Sequence, residues 1–344
     1  MPVNRRRDDR GPVTLRAVAA RAGVSAMTVS NVINRTGRAS ADTRERVLGA
    51  IEELGYIPNQ SARRLIGASV ARVGLVCADI DSVFIEKTLA AVAVVAAERG
   101  VQLQIASADD TSRDGAFKVA RSLVDKGAQA LLLLPPYAEA LGDHPEIASL
   151  DVPLAAIATA HALPQIATIR IDNHAAAKAM TERVIAQGRR RIAVLSGPLR
   201  HSDSVARVEG CCNALNGAGL SADPALFIAC DFTFQSGLAA ARQLLSLDRR
   251  PDAVIAGNDD MAAAVLCVAH QNGLVLPRDL SVAGFDDTSL ATRVWPPLTT
   301  IRQPVRDMAA EAMHYLANAV RLLQRHREVP DLVLPFALIE RNSV

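Results

Sequence analysis

The chain has 344 residues, half of them apolar and 22% charged, which fits two or three domains at ~100–200 residues each and a core needing no disulfide or metal staple. Five cysteines, an odd count with no C-x-x-C spacing, argue against a secreted disulfide framework or a structural zinc site. No apolar run approaches the ~18 residues of a membrane span, and Arg5-Arg6-Arg7-Asp8-Asp9-Arg10 has no apolar stretch behind it as a signal peptide would, so a cytoplasmic protein with no membrane partner is expected.

The net charge of +2 is unevenly distributed. Residues 1–70 hold 12 arginines, no lysine and six acidic residues, whereas the remainder carries 26 basic and 30 acidic residues. A basic headpiece on a mildly acidic body suggests a polyanion partner for the first segment only, although a solvated basic tail has the same charge.

The headpiece reads as three short helices. Thr14 can cap a helix with Leu15, Val18, Ala19 and Ala22 at helical spacing, and Gly23 breaks it. Ser25 caps a second helix, from Ala26 to about Asn34, with Val29, Val32 and Ile33 on one face. Ser40 caps a third, ending near Leu54, with Val47, Leu48, Ile51 and Leu54 facing the other two; Gly55 then stands at a left-handed cap position. Two short helices joined by a tight glycine turn form the helix-turn-helix pattern, whose second helix enters a DNA major groove. Its outward positions are Ala26, Met27, Ser30, Asn31 and Asn34. Asn31 can pair with an adenine edge, and Ala26 and Met27 can touch thymine methyls. Thr14, Ser25, Thr28, Arg35, Arg38 and Arg44 are candidates for phosphate contacts, with ordinary surface positions preferred for Asn34 and Arg38.

The run from Val13-Thr14-Leu15 through Ala22-Gly23-Val24-Ser25, Thr28-Val29-Ser30, Val32-Ile33-Asn34 and Leu54-Gly55-Tyr56-Ile57-Pro58-Asn59 to Ala62-Arg63-Arg64-Leu65 closely resembles the headpiece and hinge of the lactose-repressor (LacI) family. The resemblance implies a hinge helix over residues 59–66 that folds on DNA, with Asn59, Ala62 and Arg63 at the DNA and Leu65 pressed into the minor groove as an apolar wedge. The family usually has an acidic residue where Ala17 stands, and often arginine where Asn31 stands, so the base sequence of a relative's operator does not transfer.

Beyond Val70, short apolar runs alternate with helical stretches. Strands are expected at 73–78, 101–106, 130–134, 153–158, 166–171, 191–196, 227–230, 253–256, 280–283 and 299–302, and helices at 85–99, 174–188, 204–219, 236–247, 259–272 and 304–326, among others. Repeated β-α units with near-continuous apolar strands imply parallel sheets covered on both faces, and ten strands make two sheets more naturally than one. Ligands of such sheets bind beyond the carboxyl ends of the strands, where this sequence is polar. Asp79, Asp172, Asp259, Asp260 and Asp287 read as helix caps, and carboxylates and amides converging there suit a polyhydroxylated molecule.

Gly188-Arg189-Arg190-Arg191-Ile192-Ala193, Ser204 to Gly210, Asn258-Asp259-Asp260-Met261-Ala262, Ser281 to Asp287 and Pro297 to Gln303 resemble the same family's effector domain, a periplasmic-binding-protein-like pair of α/β lobes. By position the resemblance implies effector contacts at Arg207, Asn258, Asp286 and Gln303 and stacking aromatics at Phe84 and Phe232, although these two also suit an ordinary core. Arg207 can fork onto a ligand carboxylate or vicinal hydroxyls. The position after Gly210, often aromatic in the family, is Cys211; Cys211-Cys212 reads as reduced, partly buried thiols. His201 reads as a surface histidine.

The expected fold is thus a small all-α helix-turn-helix domain followed by an α/β two-lobed periplasmic-binding-protein-like domain with parallel sheets. Its parts are a disordered basic arm (1–12), the DNA-binding domain (13–58), a hinge helix and linker (59–69) and the effector domain (70–344). The N-lobe takes about 70–170 and 301–332, and the C-lobe about 171–300 and 333–344. The function that follows is a transcriptional regulator, most simply a repressor. It would bind a near-palindromic double-stranded operator as a homodimer, since no leucine-heptad tail follows Arg341 to build a tetramer. A small-molecule effector, most simply a sugar, would control it without any cofactor or metal. Alternatives are a sugar-binding or transport protein and a purine-type corepressor-dependent regulator. An enzyme is not expected: no nucleotide-binding, metalloprotease or nucleophile-elbow motif occurs, and the seven histidines are scattered.

Overall fold

The computed structural model describes residues 14–33, 40–54, 70–78, 82–107, 110–322 and 329–344, in two compact units, Met1–Ser69 and Val70–Val344. The expected arm (1–12) and hinge helix (59–66), with Asn34, Arg35, Arg38, Gly55, Asn59, Ala62, Arg63, Leu65 and Asp79, lie outside the described residues.

In the first unit, α1 (Leu15–Ala22), α2 (Ala26–Ile33) and α3 (Ala41–Leu54) form a three-helix cluster. The Thr14 side chain accepts from Ala17 N and Gly23 takes the left-handed conformation at φ +65°, so α1 is closed at both ends. Ser25 Oγ accepts from Thr28 N at 3.1 Å and Ser40 Oγ from Thr43 N at 3.2 Å, capping the other two helices. Val18, Ala19, Ala22, Val29, Val32, Val47 and Ala50 make the buried core. Leu48 does not face it as expected but is 52% exposed. The inward stripe of α3 runs through positions 47, 50, 51 and 54, and Leu48 falls about 100° round the helix from Val47.

The second unit opens with β1 (Arg72–Cys77), α4 (Val83–Arg99), β2 (Gln102–Ser107), α5 (Arg113–Asp125), β3 (Ala130–Leu133), α6 (Tyr137–Gly142), β4 (Leu154–Ile157) and β5 (Ala167–Arg170). There follow α7 (Asn173–Ala186), β6 (Ile192–Ser196), α8 (Ser202–Gly217), β7 (Phe227–Ala229), α9 (Phe234–Leu245), β8 (Ala253–Ala256), α10 (Asp259–Gln271) and β9 (Ser281–Ala283). Last come β10 (Thr300–Arg302), α11 (Val305–Arg321), β11 (Asp331–Val333) and β12 (Ala337–Ile339). The strands form a six-stranded sheet, order β11-β5-β4-β3-β1-β2, a four-stranded sheet, order β7-β6-β8-β9, and the two-stranded pair β10-β12. Every pairing within the two larger sheets is parallel and β10-β12 is antiparallel. All four residues of β3, β4 and β8 are buried, the continuous apolar pattern of strands covered on both faces.

Each larger sheet is the centre of one lobe. In the first lobe α11 packs on α4 and on β3, β4 and β5; in the second α7 packs on α8, and α9 on α10. The chain leaves the first sheet after β5, returns along β10 into α11, and leaves again between β11 and β12. The two short strands β11 and β12 were not expected from sequence. One buried cluster runs from β1 and α11 to α7, β6 and Cys211, so the lobes share apolar packing.

Candidate functional site

In the first unit α2 is the helix expected to read DNA, and one of its faces is open. Val29 and Val32 face the core, which leaves the opposite face to Met27, 71% exposed, flanked by half-buried Ala26, Thr28, Ser30 and Asn31. The hydroxyls of Thr14 and Ser25 cap helices and stay exposed at the helix starts, where phosphates dock on amide N–H groups. Arg44 is exposed on α3. Arg21, by contrast, is engaged with Glu53, Nη2 lying 2.7 Å from Oε2.

In the second unit a cleft of about 460 Å³ lies between the lobes, lined by Ser82, Phe84, Ile85 and Pro135 of the first and His201, Asp203, Arg207, Phe232, Asn258 and Asp286 of the second. Each follows the carboxyl end of a parallel strand: Ser82 and Phe84 beyond β1, Pro135 beyond β3, His201 beyond β6, Phe232 beyond β7, Asn258 beyond β8 and Asp286 beyond β9. The sheets thus bring five of the six expected effector residues to one cavity. Gln303 meets it indirectly, through Asp286.

Arg207 organises the second-lobe wall. It is buried on α8, donates from Nε to Asn173 Oδ1 at 2.9 Å and from Nη1 to the Gly257 carbonyl at 2.6 Å, and pairs through Nη2 with Asp203 at 3.1 Å. Its guanidinium lies 3.8 Å from the Phe285 ring centroid and 5.8 Å from that of Phe232, a cation–π arrangement. Three of its five N–H donors are thereby spent among the described residues, which leaves two for a ligand.

Asp286 is buried and accepts from Gln303 Nε2 at 2.7 Å. Burial pushes its carboxyl up to about 8 against the lowering influence of Arg207, which favours the protonated acid, a hydrogen-bond donor, over the carboxylate. Its backbone sits at φ +106°, Phe232 at +69° and Asp287 at +47°. Such conformations in non-glycine residues concentrate at ligand sites. Phe232 stands against Gly197 and Gly257, where a Cβ would meet its ring.

Asn258, expected as a ligand contact, is also the cap of α10: its Oδ1 accepts from Met261 N at 2.9 Å while Nδ2 donates to the Phe232 carbonyl at 2.7 Å. Of the expected caps only Asp172 acts as one among the described residues, accepting from Ala175 N at 2.9 Å. Asp259 instead is a buried strut accepting from Thr288 N, Thr288 Oγ1 and Thr300 Oγ1 at 2.7, 3.0 and 2.7 Å, and burial pushes its carboxyl up to about 6. Asp260 is buried in the first turn of α10. Asp287 takes Arg302 at 2.5 Å and Arg341 at 2.6 Å. Asn258 already caps α10, so Asp259 and Asp260 fall within its first turn.

His201 is the residue that sequence reasoning misplaced. It is not on the surface but 5% exposed, lines the cleft and tilts against Phe232 with centroids 5.8 Å apart. Burial lowers its basicity, and its Nε2 is buried with no partner among the described residues, the capacity a ligand hydroxyl would fill. The signal available in the sequence was its place just past β6. Cys211 is wholly buried and burial pushes its thiol up to about 11, an inert packing cysteine; none of the five cysteines forms a disulfide. Among the described residues no group of three or more His, Cys, Asp and Glu could hold a metal ion, and no helix is long and apolar enough to cross a membrane.

Comparison with known proteins agrees with this fold. Residues 14–59 match the family of bacterial regulatory proteins, lacI family, and residues 181–344 match the periplasmic binding protein-like domain. The chain is 37% identical to the HTH-type transcriptional regulator CelR of Thermobifida fusca over 344 residues, 96% of this chain and 98% of that protein. It is 33% identical to catabolite control protein A of Priestia megaterium, over 89% of this chain and 92% of that one. Among solved structures it resembles a CelR–cellobiose complex (TM-score 0.70, 32% identity, 96% of this chain and 100% of that chain). It also resembles a lac repressor dimer bound to operator and an anti-inducer (TM-score 0.70, 27% identity, 97% of this chain and 99% of that chain). A helix-turn-helix unit joined to a two-lobed ligand-binding fold, with relatives of this identity along nearly its whole length, places the chain in the LacI family of DNA-binding bacterial transcriptional regulators.

Proposed function

We propose that this regulator is a cytoplasmic homodimeric repressor of a near-palindromic operator, with no catalytic role, and that its DNA affinity is set by a neutral sugar bound between the lobes. The supporting observation is the donor–acceptor set of the cleft. Asp203, Asp286, Asn258, His201 and the two uncommitted donors of Arg207 surround a cavity walled by Phe84 and Phe232. A polyhydroxylated ring has both an apolar face for the aromatics and hydroxyls that donate and accept. Arg207 already carries Asp203 as counter-charge, which favours hydroxyls over a ligand carboxylate. CelR is the relative whose structure holds cellobiose.

In this reading Phe84 and Phe232 stack on the sugar and Arg207, Asn258 and Asp286 bond its hydroxyls, while Gln303 positions Asp286. Thr14, Ser25, Thr28, Arg35 and Asn59 hold phosphates; Ala26, Met27, Ser30 and Asn31 read the major groove; Ala62, Arg63 and Leu65 act in the minor groove. A second reading, a purine corepressor, draws on the two aromatics, which also suit a flat base, and on the PurR repressor of Escherichia coli, 32% identical over 96% of both chains.

A thermal-shift panel of cellobiose, monosaccharides, sugar acids and purine bases tests this directly. A ligand at a hundred times its Kd stabilises its protein by about 2.7 kcal/mol. A rise in Tm with a purine and none with any sugar would replace the first reading by the second.

A further inference from the structure

Two polar ties cross from one lobe to the other beside the cleft. Lys87, on α4, donates from Nζ to the Asp287 carbonyl at 2.9 Å. The second tie is built on Ser202, the first residue of α8: its Oγ accepts from Ala160 N at 3.2 Å and donates to Glu139 Oε1. Both partners of this side chain belong to the first lobe, Glu139 on α6 and Ala160 in the loop between β4 and β5.

The loop that presents Ala160 is itself fixed. Ala158 and Gln165 within it adopt φ +66° and +64°, and Arg170 Nη1 holds the Ala160 carbonyl at 3.0 Å. The same guanidinium pairs with Asp331 through Nε and Nη2, both at 2.7 Å. Asp331 opens β11, the last strand before the chain crosses to β12. A continuous line of hydrogen bonds therefore runs from Asp331 through Arg170, Ala160 and Ser202 to Glu139. Burial pushes the Glu139 carboxyl above the ordinary carboxyl range, and Asp203 and His161 are the other side chains that act on it. The carboxyl is half-buried, and Ser202 is its one side-chain partner among the described residues, which makes loss of that bond costly.

We propose that the Glu139–Ser202 hydrogen bond is a latch that holds the two lobes closed, with its opening relayed through Ala160 and Arg170 to the crossing strand β11. The proposal concerns the lobes themselves and does not depend on which ligand the cleft takes. Coupling of this kind requires an element with two arrangements, and Ser202 supplies it, bonded across the cleft in one and hydrated in the other.

Hydrogen–deuterium exchange by mass spectrometry on the full-length protein, with no ligand added, tests it. In Glu139→Ala and Ser202→Ala the peptides covering 158–166 and 198–204 exchange roughly tenfold faster than in the unaltered protein, the factor that goes with losing a hydrogen bond to a charged group. Glu139→Gln keeps an acceptor and stays near the unaltered rates. Unchanged rates in those peptides, a Gln variant that behaves like the Ala variant, or a rise spread evenly over both sheets overturns the latch. Because no effector is present, failure here leaves the ligand reading standing, and that reading fails separately in the thermal-shift panel.

Discussion

Gln303 donates from Nε2 to Asp286 Oδ1 at 2.7 Å, and both residues are buried. One side of this bond is the cleft acid and the other is the residue just past β10, where the chain crosses into α11. Any ligand that shifts Asp286 must therefore move or strain the crossing segment. Replacing Gln303 by Ala leaves effector binding measurable but removes much of the effector's influence on operator affinity, which in allosteric proteins is typically ~1–3 kcal/mol. Calorimetric effector titrations with and without an operator fragment read both quantities. Unaltered coupling would take Gln303 out of the transmission path.

Asp286 makes stability depend on pH with a definite sign. Its folded-state pKa of about 8 exceeds the ordinary carboxyl value of ~3.9. Between those values the unfolded chain has released the proton and the native protein has kept it, so stability falls as pH rises from ~4 to ~8. Asp286→Asn removes its share of this dependence and leaves only the smaller one of Asp259, whose carboxyl is pushed up to about 6, while keeping an acceptor for Gln303, and Asn tolerates positive φ well. The variant is expected to match the parent near pH 4 and to exceed it by roughly 5 kcal/mol at pH 8, in urea-unfolding free energies measured across that range. Effector affinity should fall by at least about tenfold, the effect of one lost hydrogen bond to a bound ligand.

Arg207→Lys keeps the charge and loses the fork. A lysine cannot at once reach Asn173, the Gly257 carbonyl and Asp203 or stack flat on Phe285. The loss should destabilise the effector domain by about 2–4 kcal/mol, because Asp203 is left buried with a poorer partner, and should abolish the effector response. Urea unfolding followed by tryptophan-independent circular dichroism gives the first number; an unchanged midpoint would deny Arg207 its organising role.

The DNA-binding unit makes an electrostatic prediction. With several phosphate contacts per site, operator affinity should drop by roughly 10³-fold or more between 50 and 200 mM salt. Asn31→Ala should cost ~1–3 kcal/mol at one base position and leave the salt slope unchanged. A flat salt response, or an Asn31 variant weakened equally on every sequence, would contradict the assignment of α2.

Regular structure was legible in the sequence wherever burial is continuous. All ten expected strands are present within one or two residues of their expected ends, most plainly β3, β4 and β8, since parallel strands covered on both faces write unbroken apolar runs. Strands β11 and β12 were not legible: each has three residues with mixed exposure, and their pairing is decided by chain crossings rather than by their own pattern. At the cleft, Arg207, Asn258 and Asp286 could be found from the motifs around them. His201 could not, because a histidine in a Gly-Pro loop looks exposed until the loop folds over Phe232. Asp259 and Asp287 were misread as caps for a related reason, as the Thr300, Arg302 and Arg341 partners that claim them lie 15 to 54 residues away.

Asp287 has one more implication, for anyone re-engineering the ligand pocket. Its carboxylate receives Arg302 and Arg341 and its carbonyl receives Lys87, so three distant stretches of chain meet on a residue adjacent to the cleft acid. A foreign pocket grafted onto this frame has to carry positions 87, 287, 302 and 341 as one set, and a chimera cut between them inherits mismatched halves of a single joint.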